Sequence, residues 1–343
     1  MRAVYAEQPF SIGLRDIPIP EPGEDDVLIK VAYAGICGSD LHAYHGEHAF
    51  RKPPVMLGHE VSGVICKMGK NVTGFELGQP VTVMPQISCG KCEACLKGNV
   101  HHCAHKILPA MPGWKGLGTF GDYFVAPAEV ICPLGDVPLD LGALTEPLAV
   151  ATHLMSRIPQ GHGKDLVIIG AGTIGLLLLI IAPDYGFERI LITDILDDNL
   201  ALAKELGAAV TVNVARENAI DAVHDTFGEL GCETVLVAAG GPDILEQAME
   251  MSRPGANILF VAMITSPSTF VSYPIVYKEL SILGSFNYVM KDFESAVRFL
   301  HTRGDQMRRI ITHVMPIDLA AEAFRIQDEK KEFAVKILLK VNQ

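Results

Sequence analysis

The sequence predicts an α/β chain of two domains, one irregular and β-rich, the other a doubly wound parallel sheet. Three observations carry this. The chain has 343 residues, more than one domain of ordinary size takes. From Met1 to about Thr152 it is rich in glycine, proline and short β-like runs. Beyond Thr152, strand-sized apolar runs alternate with helical stretches, the pattern of βαβ units. Hydrophobic residues make up 49% and charged residues 20%, enough apolar material for two packed cores.

In order along the chain, Val27–Ala34 (VLIKVAYA), Val61–Lys67 and Gln79–Pro85 read as strands, each bounded by glycine or proline. Leu166–Ile169 is a short apolar run, followed by glycines and a helix-like stretch. Ile190–Thr193 is the next strand. Asn199–Leu206 is helical, with Gly207 as its C-cap. Thr234–Ala238 and Asn257–Val261 are further strands, separated by the helix Ile244–Met251. After residue 285 come a helix, Asp292–Leu300, and a final strand, Phe333–Leu339. No fixed-period repeat or low-complexity tract interrupts this order.

A formal net charge of −12 disfavours nucleic acid or an anionic membrane face as partner. A phosphorylated substrate stays open, because a local basic pocket can outvote the global charge. The start, Met1-Arg2-Ala3-Val4-Tyr5, lacks the charged and apolar regions of a signal peptide. The longest apolar run, Ile174–Ala182, is shorter than the ~20 residues of a membrane span. A soluble cytoplasmic protein is expected.

Leu166–Gly175 reads LVIIGAGTIG. Gly170, Gly172 and Gly175 make G-x-G-x-x-G, with Thr173 and Ile174 opening the helix. The first glycine permits a tight turn, the second lets backbone approach a pyrophosphate, and the third lets helix and strand pack closely. The helix N-terminus offers unpaired N–H groups to an anion. Asp194 ends the next strand about 20 residues on, where an acid can bind the ribose 2′-hydroxyl. The same carboxylate would repel a 2′-phosphate, and Ile195–Leu202 holds no arginine or lysine. The expectation is a Rossmann domain that binds NAD in preference to NADP.

Cys89, Cys92, Cys95 and Cys103 give C-x2-C-x2-C-x7-C. In a chain without a secretory signal this spacing argues for metal rather than disulfides. Four thiolates close a tetrahedron around Zn²⁺ and leave no open position, so the site is structural. Gly90 and Gly98 supply the turns. An iron–sulfur cluster is the competing use, but no proline follows Cys103 and no second redox centre is evident. His101, His102 and His105 are expected to pack or face solvent.

Two further segments, GICGSDLH at Gly35–His42 and LGHE at Leu57–Glu60, gain meaning in combination with these motifs, as does TEPLAV at Thr145–Val150. Together they make the chain resemble the zinc-dependent medium-chain dehydrogenase/reductases, and within them the sorbitol (polyol) dehydrogenase branch, over essentially its whole length. The resemblance implies a GroES-like catalytic domain from residues 1–152 and 286–343, with a Rossmann domain of residues 153–285 inserted between. It implies Cys37 and His59 as catalytic zinc ligands, with Glu60 or Glu146 completing the shell directly or through water. It gives Ser39 the contact to the reacting alcohol and His42 a place in a proton relay.

Substrate contacts implied by the resemblance fall at Tyr44, Phe50, Phe286, Asn287 and Tyr288. The polyol enzymes often carry Phe-Arg-Tyr where this chain has Phe-Asn-Tyr. Losing that cation points away from sorbitol, toward another polyol, a cyclitol or a sugar acid. Trp114 and Lys115 lie in a loop that can reach the cleft, although Lys115 reads first as a solvated loop lysine. The implied reaction passes a hydride between a secondary alcohol, or the matching ketone, and NAD. A threonine-type amino-alcohol dehydrogenase is the alternative, and a catalytically silent NAD-binding protein a more distant one. The β-branched, apolar segment Val271–Leu283 matches the region that pairs subunits in relatives, so a homodimer or homotetramer is expected.

Overall fold

The structure, a computed structural model, describes every residue except 112, 113, 266, 268 and 343. The chain divides into two compact units, Met1–Ala149 with Tyr288–Gln343, and Val150–Asn287. The divisions fall a few residues from 152/153 and 285/286. The first lies inside a helix, where sequence character gives no signal of a boundary.

The N-terminal segment of the first unit carries β1 (Arg2–Gln8), β2 (Ser11–Asp16), β3 (Asp26–Gly35), α1 (Gly38–Tyr44), β4 (Val55–Met56), β5 (Glu60–Met68), β6 (Pro80–Val83), α2 (Glu93–Leu96), β7 (Tyr123–Pro127), β8 (Ile131–Pro133) and α3 (Leu139–Gly142). Helix α4 (Thr145–Ser156) follows. The second unit holds β9 (Asp165–Ile169), α5 (Thr173–Ile181), β10 (Arg189–Asp194), α6 (Asp197–Glu205), β11 (Val210–Asn213), α7 (Ala219–Phe227), β12 (Cys232–Val237), α8 (Ile244–Met251), β13 (Ser252–Phe260), α9 (Tyr273–Tyr277) and β14 (Ser281–Gly284). The chain then returns to the first unit as α10 (Met290–Arg308), β15 (Ile311–Pro316), α11 (Ala320–Glu329) and β16 (Lys336–Lys340).

In the first unit β1 sits between β2 and β4 in a small antiparallel sheet. A seven-stranded sheet runs β15-β16-β3-β5-β6-β8, with β7 also pairing to β3. β3 is long and mostly buried because partners meet it on both sides. Its register brings Gly35 opposite Glu60 of β5 and opposite Leu338 of β16. One end of this sheet therefore collects the segments after β3, before β5 and around the start of β16. Fully buried Phe120, Phe124, Phe293 and Phe324 help fill the core. Trp114 belongs to that core rather than to a cleft: it is buried, stacks on Phe124 at 5.5 Å and donates its indole N–H to Val125 O. Lys115 Nζ is spent on Glu21 O.

The second unit is a six-stranded parallel sheet, β11-β10-β9-β12-β13-β14. Counted from β9 the order is 3-2-1-4-5-6, the doubly wound arrangement whose strand order reverses beside the first strand. Val167, Leu191, Val235 and Ile258 on adjacent strands are fully buried, as expected of a sheet covered on both faces. The apolar stretch Val271–Leu283 divides between a short helix and the start of a strand. Pro274 sits in the first turn of α9, a position that suits proline, and only Ser281–Gly284 joins the sheet, as its edge.

Candidate metal and cofactor sites

Cys89, Cys92, Cys95 and Cys103 come together around α2, their sulfurs all within 4.8 Å of one another. Gly90 and Gly98 take φ of +69° and +78°, the left-handed turns the spacing requires. Sulfur separations of 3.5 Å (Cys92–Cys95) and 4.0 Å (Cys89–Cys95) match the ~3.8 Å edge of a tetrahedron built on 2.3 Å Zn–S bonds. An iron–sulfur cage would hold its thiolates farther apart. Backbone N–H groups of Lys91 and Cys92 pull the Cys89 thiol down to about 6, while desolvation and the neighbouring thiols push Cys95 up to about 12. Crowded sulfurs of this kind fit a dication that neutralises several thiolates at once. His101 is buried and packs on His102 at 4.0 Å, a packing role.

The second cluster sits at the sheet end described above. Ligand atoms of Cys37, His59 and Glu60 lie within 4.8 Å of one another. Asp40 fixes this geometry. Its Oδ2 accepts the Cys37 N–H at 3.1 Å and its Oδ1 the Gly58 N–H at 3.3 Å, tying both ligand-bearing segments together. His59 Nδ1 lies 3.5 Å from the same carboxylate, and its Nε2 lies 3.5 Å from Ser39 Oγ. Burial alone would push the His59 imidazole down, but Asp40 and Cys37 raise it well above its ordinary value. Burial alone would raise Asp40, and His59 and Arg51 hold it low instead.

Glu60 is fully buried and faces Lys336, whose Nζ donates to both carboxylate oxygens at 2.8 Å and to Ile36 O at 2.9 Å. Gly35 is required here, since a Cβ would overlap Glu60 Oε2. Glu146, in the first turn of α4, is buried outside the three-residue cluster, with Oε1 accepting the Tyr288 hydroxyl at 2.6 Å. Burial raises the Glu146 carboxyl, and nearby Glu60 adds to this. Burial and Glu146 together raise Tyr288 well above the ordinary tyrosine value. His42 is exposed, its Nδ1 3.8 Å from Glu47. Tyr44 packs against Phe10 and Phe324. Phe286 and Asn287 close the second unit. Asn287 has φ +52°, a conformation in which asparagine is enriched, so the backbone itself favours asparagine here.

In the second unit the three glycines differ. Gly170 has φ +102°. A Cβ on Gly175 would strike Gly170 O, whereas one on Gly172 would meet nothing. Gly172 N-caps α5 with no side chain over the helix end, leaving open space for a phosphate group. Asp194 Oδ2 accepts the Ala171 N–H at 2.7 Å, and Oδ1 accepts those of Ile195 and Leu196 at 2.8 and 2.9 Å. The acid therefore shapes the glycine turn as well as standing at its mouth.

Fold and sites together define a two-domain metal-dependent oxidoreductase. The description "Alcohol dehydrogenase GroES-like domain" matches residues 23–136, and "Zinc-binding dehydrogenase" matches residues 173–302. D-xylulose reductase A of Aspergillus niger is 32% identical, covering 91% of this chain and 89% of the relative. L-threonine 3-dehydrogenase of Bacillus velezensis is 33% identical, covering 93% of each. The crystal structure of galactitol-1-phosphate dehydrogenase from Escherichia coli superimposes with a TM-score of 0.89 at 30% identity, covering 99% of this chain and 100% of that one. The chain belongs to the zinc-dependent medium-chain dehydrogenase/reductases, in their polyol dehydrogenase-like branch. It is an alcohol dehydrogenase, with zinc and a nicotinamide dinucleotide as cofactors.

Proposed function

We propose that the chain interconverts a secondary alcohol of a polyol-like substrate (a polyol, cyclitol or sugar acid) and its ketone, with NAD rather than NADP. The observation that carries this is the convergence of Cys37, His59 and Glu60 beside the Ser39 hydroxyl. Zinc, when bound there, supplies a Lewis acid that lowers the pKa of the alcohol, and NAD supplies the hydride acceptor. In this reading Cys37 and His59 hold the metal, with Glu60 or Glu146 as the carboxylate donor. Ser39 receives the alcohol proton, and exposed His42 passes it to solvent. Asp40 orients the His59 ring. The four cysteines hold a second, structural zinc. Gly170, Gly172, Thr173, Ile174 and Gly175 cradle the pyrophosphate, and Asp194 selects against a 2′-phosphate. Tyr44, Phe286 and Asn287 are proposed to face the substrate.

The relatives support the reading unequally, since one is named for a pentulose and another for threonine. An NAD-linked activity screen over polyols, cyclitols, sugar acids and amino alcohols tests it. NADH formation with an amino alcohol and none with a polyol would replace it with the threonine-type activity. We further infer a cytoplasmic location, supported by four cysteines gathered at metal-ligand distances rather than paired as disulfides. No helix among the described residues is long and apolar enough to cross a membrane.

A further inference from the structure

Arg51 is a buried charge that the reading above leaves unused. It lies in the loop between α1 and β4 and is only 5% exposed. Its Nη1 donates toward Ser39 Oγ at 3.4 Å, lies 3.4 Å from His59 Nδ1, and stands 3.8 Å from Asp40 Oδ1. All three contacts are long for hydrogen bonds, and all fall on one nitrogen. Nε and Nη2 have no acceptor among the described residues, yet neither is sealed from accessible space. Asp40 is already engaged by Cys37, Gly58 and His59, so neutralising it does not account for the open side of the guanidinium. The loop is tied down. His48 Nδ1 accepts the N–H groups of Phe50 and Arg51, and the Phe50 ring lies 5.6 Å from the guanidinium carbon.

A guanidinium presents its donors as a rigid fork that matches two oxygens of one anion. Here one corner is anchored at the alcohol-contacting serine and the Nε/Nη2 edge is free. The other cation in the cluster, Lys336, is closed off by Glu60 and Ile36. In a chain of net charge −12, an anionic substrate needs such a local cation.

We propose that Arg51 determines specificity: its free edge takes a two-oxygen anion, carboxylate or phosphoryl, borne by the substrate near the carbinol that Ser39 contacts. The proposal rests on the alcohol-dehydrogenase reading of Ser39 and the neighbouring metal cluster.

The test compares aldonic acids, alditol phosphates and the matching neutral alditols as substrates of the zinc-loaded enzyme with NAD. The wild type is expected to favour one anionic series over the alditols by about 10⁴-fold in kcat/KM, the scale on which a site built for a polar partner rejects its absence. Preference for the aldonates assigns the carboxylate, and preference for the phosphates the phosphoryl group. Arg51→Gln should collapse that ratio, mainly through KM, and Arg51→Lys should restore part of it. Alditols equal to or better than both anionic series in the wild type, or a ratio unmoved by Arg51→Gln, overturns the proposal. Absence of turnover with every compound overturns the underlying dehydrogenase reading, a distinct result. If Arg51→Gln does not fold, inhibition of the wild type by glutarate against 1,5-pentanediol decides. Stronger inhibition by the diacid is expected, and equal inhibition overturns the assignment.

Discussion

Lys336 and Glu60 concentrate the electrostatic risk of the first unit in two side chains. Both are almost fully buried, and each is the other's main countercharge. Removing one partner strands the other, which is much costlier than replacing both. Lys336→Met is therefore expected to lower stability by about 3–5 kcal/mol in urea unfolding, and Lys336→Met with Glu60→Gln should recover a large part of it. Additive losses in that cycle would disprove the coupling. His48 gives a prediction in pH. Burial and Arg51 lower its imidazole from 6.5 to about 4. The unfolded chain then binds the extra proton first as pH falls, so the His48 contribution is intact above 6.5 and is lost between 6.5 and about 4. His48→Gln should flatten that stretch of a stability-against-pH curve; an unchanged slope would count against the assignment. Neither Lys336 nor Arg51 is legible in the sequence. Lys336 meets Glu60 across 276 positions, and only the shared neighbour β3 brings them together. By contrast Cys37, His59 and Glu60 were readable because each sits in a short motif.

At the scale of elements, the turn after β9 depends on Asp194 as much as on its glycines. Asp194→Ala removes the acceptor of three backbone N–H groups. It should weaken NAD binding, relax discrimination against NADP, and cost about 1–3 kcal/mol in unfolding free energy; an unchanged cofactor preference would remove Asp194 from the ribose role. The cysteine lobe makes a separate demand. Zinc analysis should find two ions per chain in the wild type and one in Cys95→Ser, whose melting temperature should fall while NAD binding persists. The strands of the parallel sheet were legible because continuous apolar runs between glycines have few other uses. α9 was not: in a β-branched, apolar stretch the proline of its first turn is the one local mark of a helix start. The burial of Trp114 is not legible either, since a glycine-rich surrounding reads as a loop whether or not its aromatic turns inward.

For the whole molecule, the second unit's sheet ends on β14, an edge strand paired only to β13 among the described residues and close in sequence to exposed Phe270, Val271, Tyr273, Val276 and Tyr277. Tyr273 and Tyr277 stack at 5.5 Å. Open edges and apolar patches of this sort call for cover, and light scattering is expected to give a dimer or tetramer mass, with Tyr277→Glu shifting it toward the monomer. A monomeric wild type would contradict this. The first unit has a different peculiarity: its main sheet is assembled from both ends of the chain, with β16 inserted between β15 and β3. During synthesis the second unit has all its strands before β16 emerges. Glu60 thus waits, without its cation, until the chain has grown by 276 residues. A nascent chain halted in the last turns of α11 would carry every strand of the second unit and all of Cys37, His59 and Glu60, but not the cation that faces Glu60.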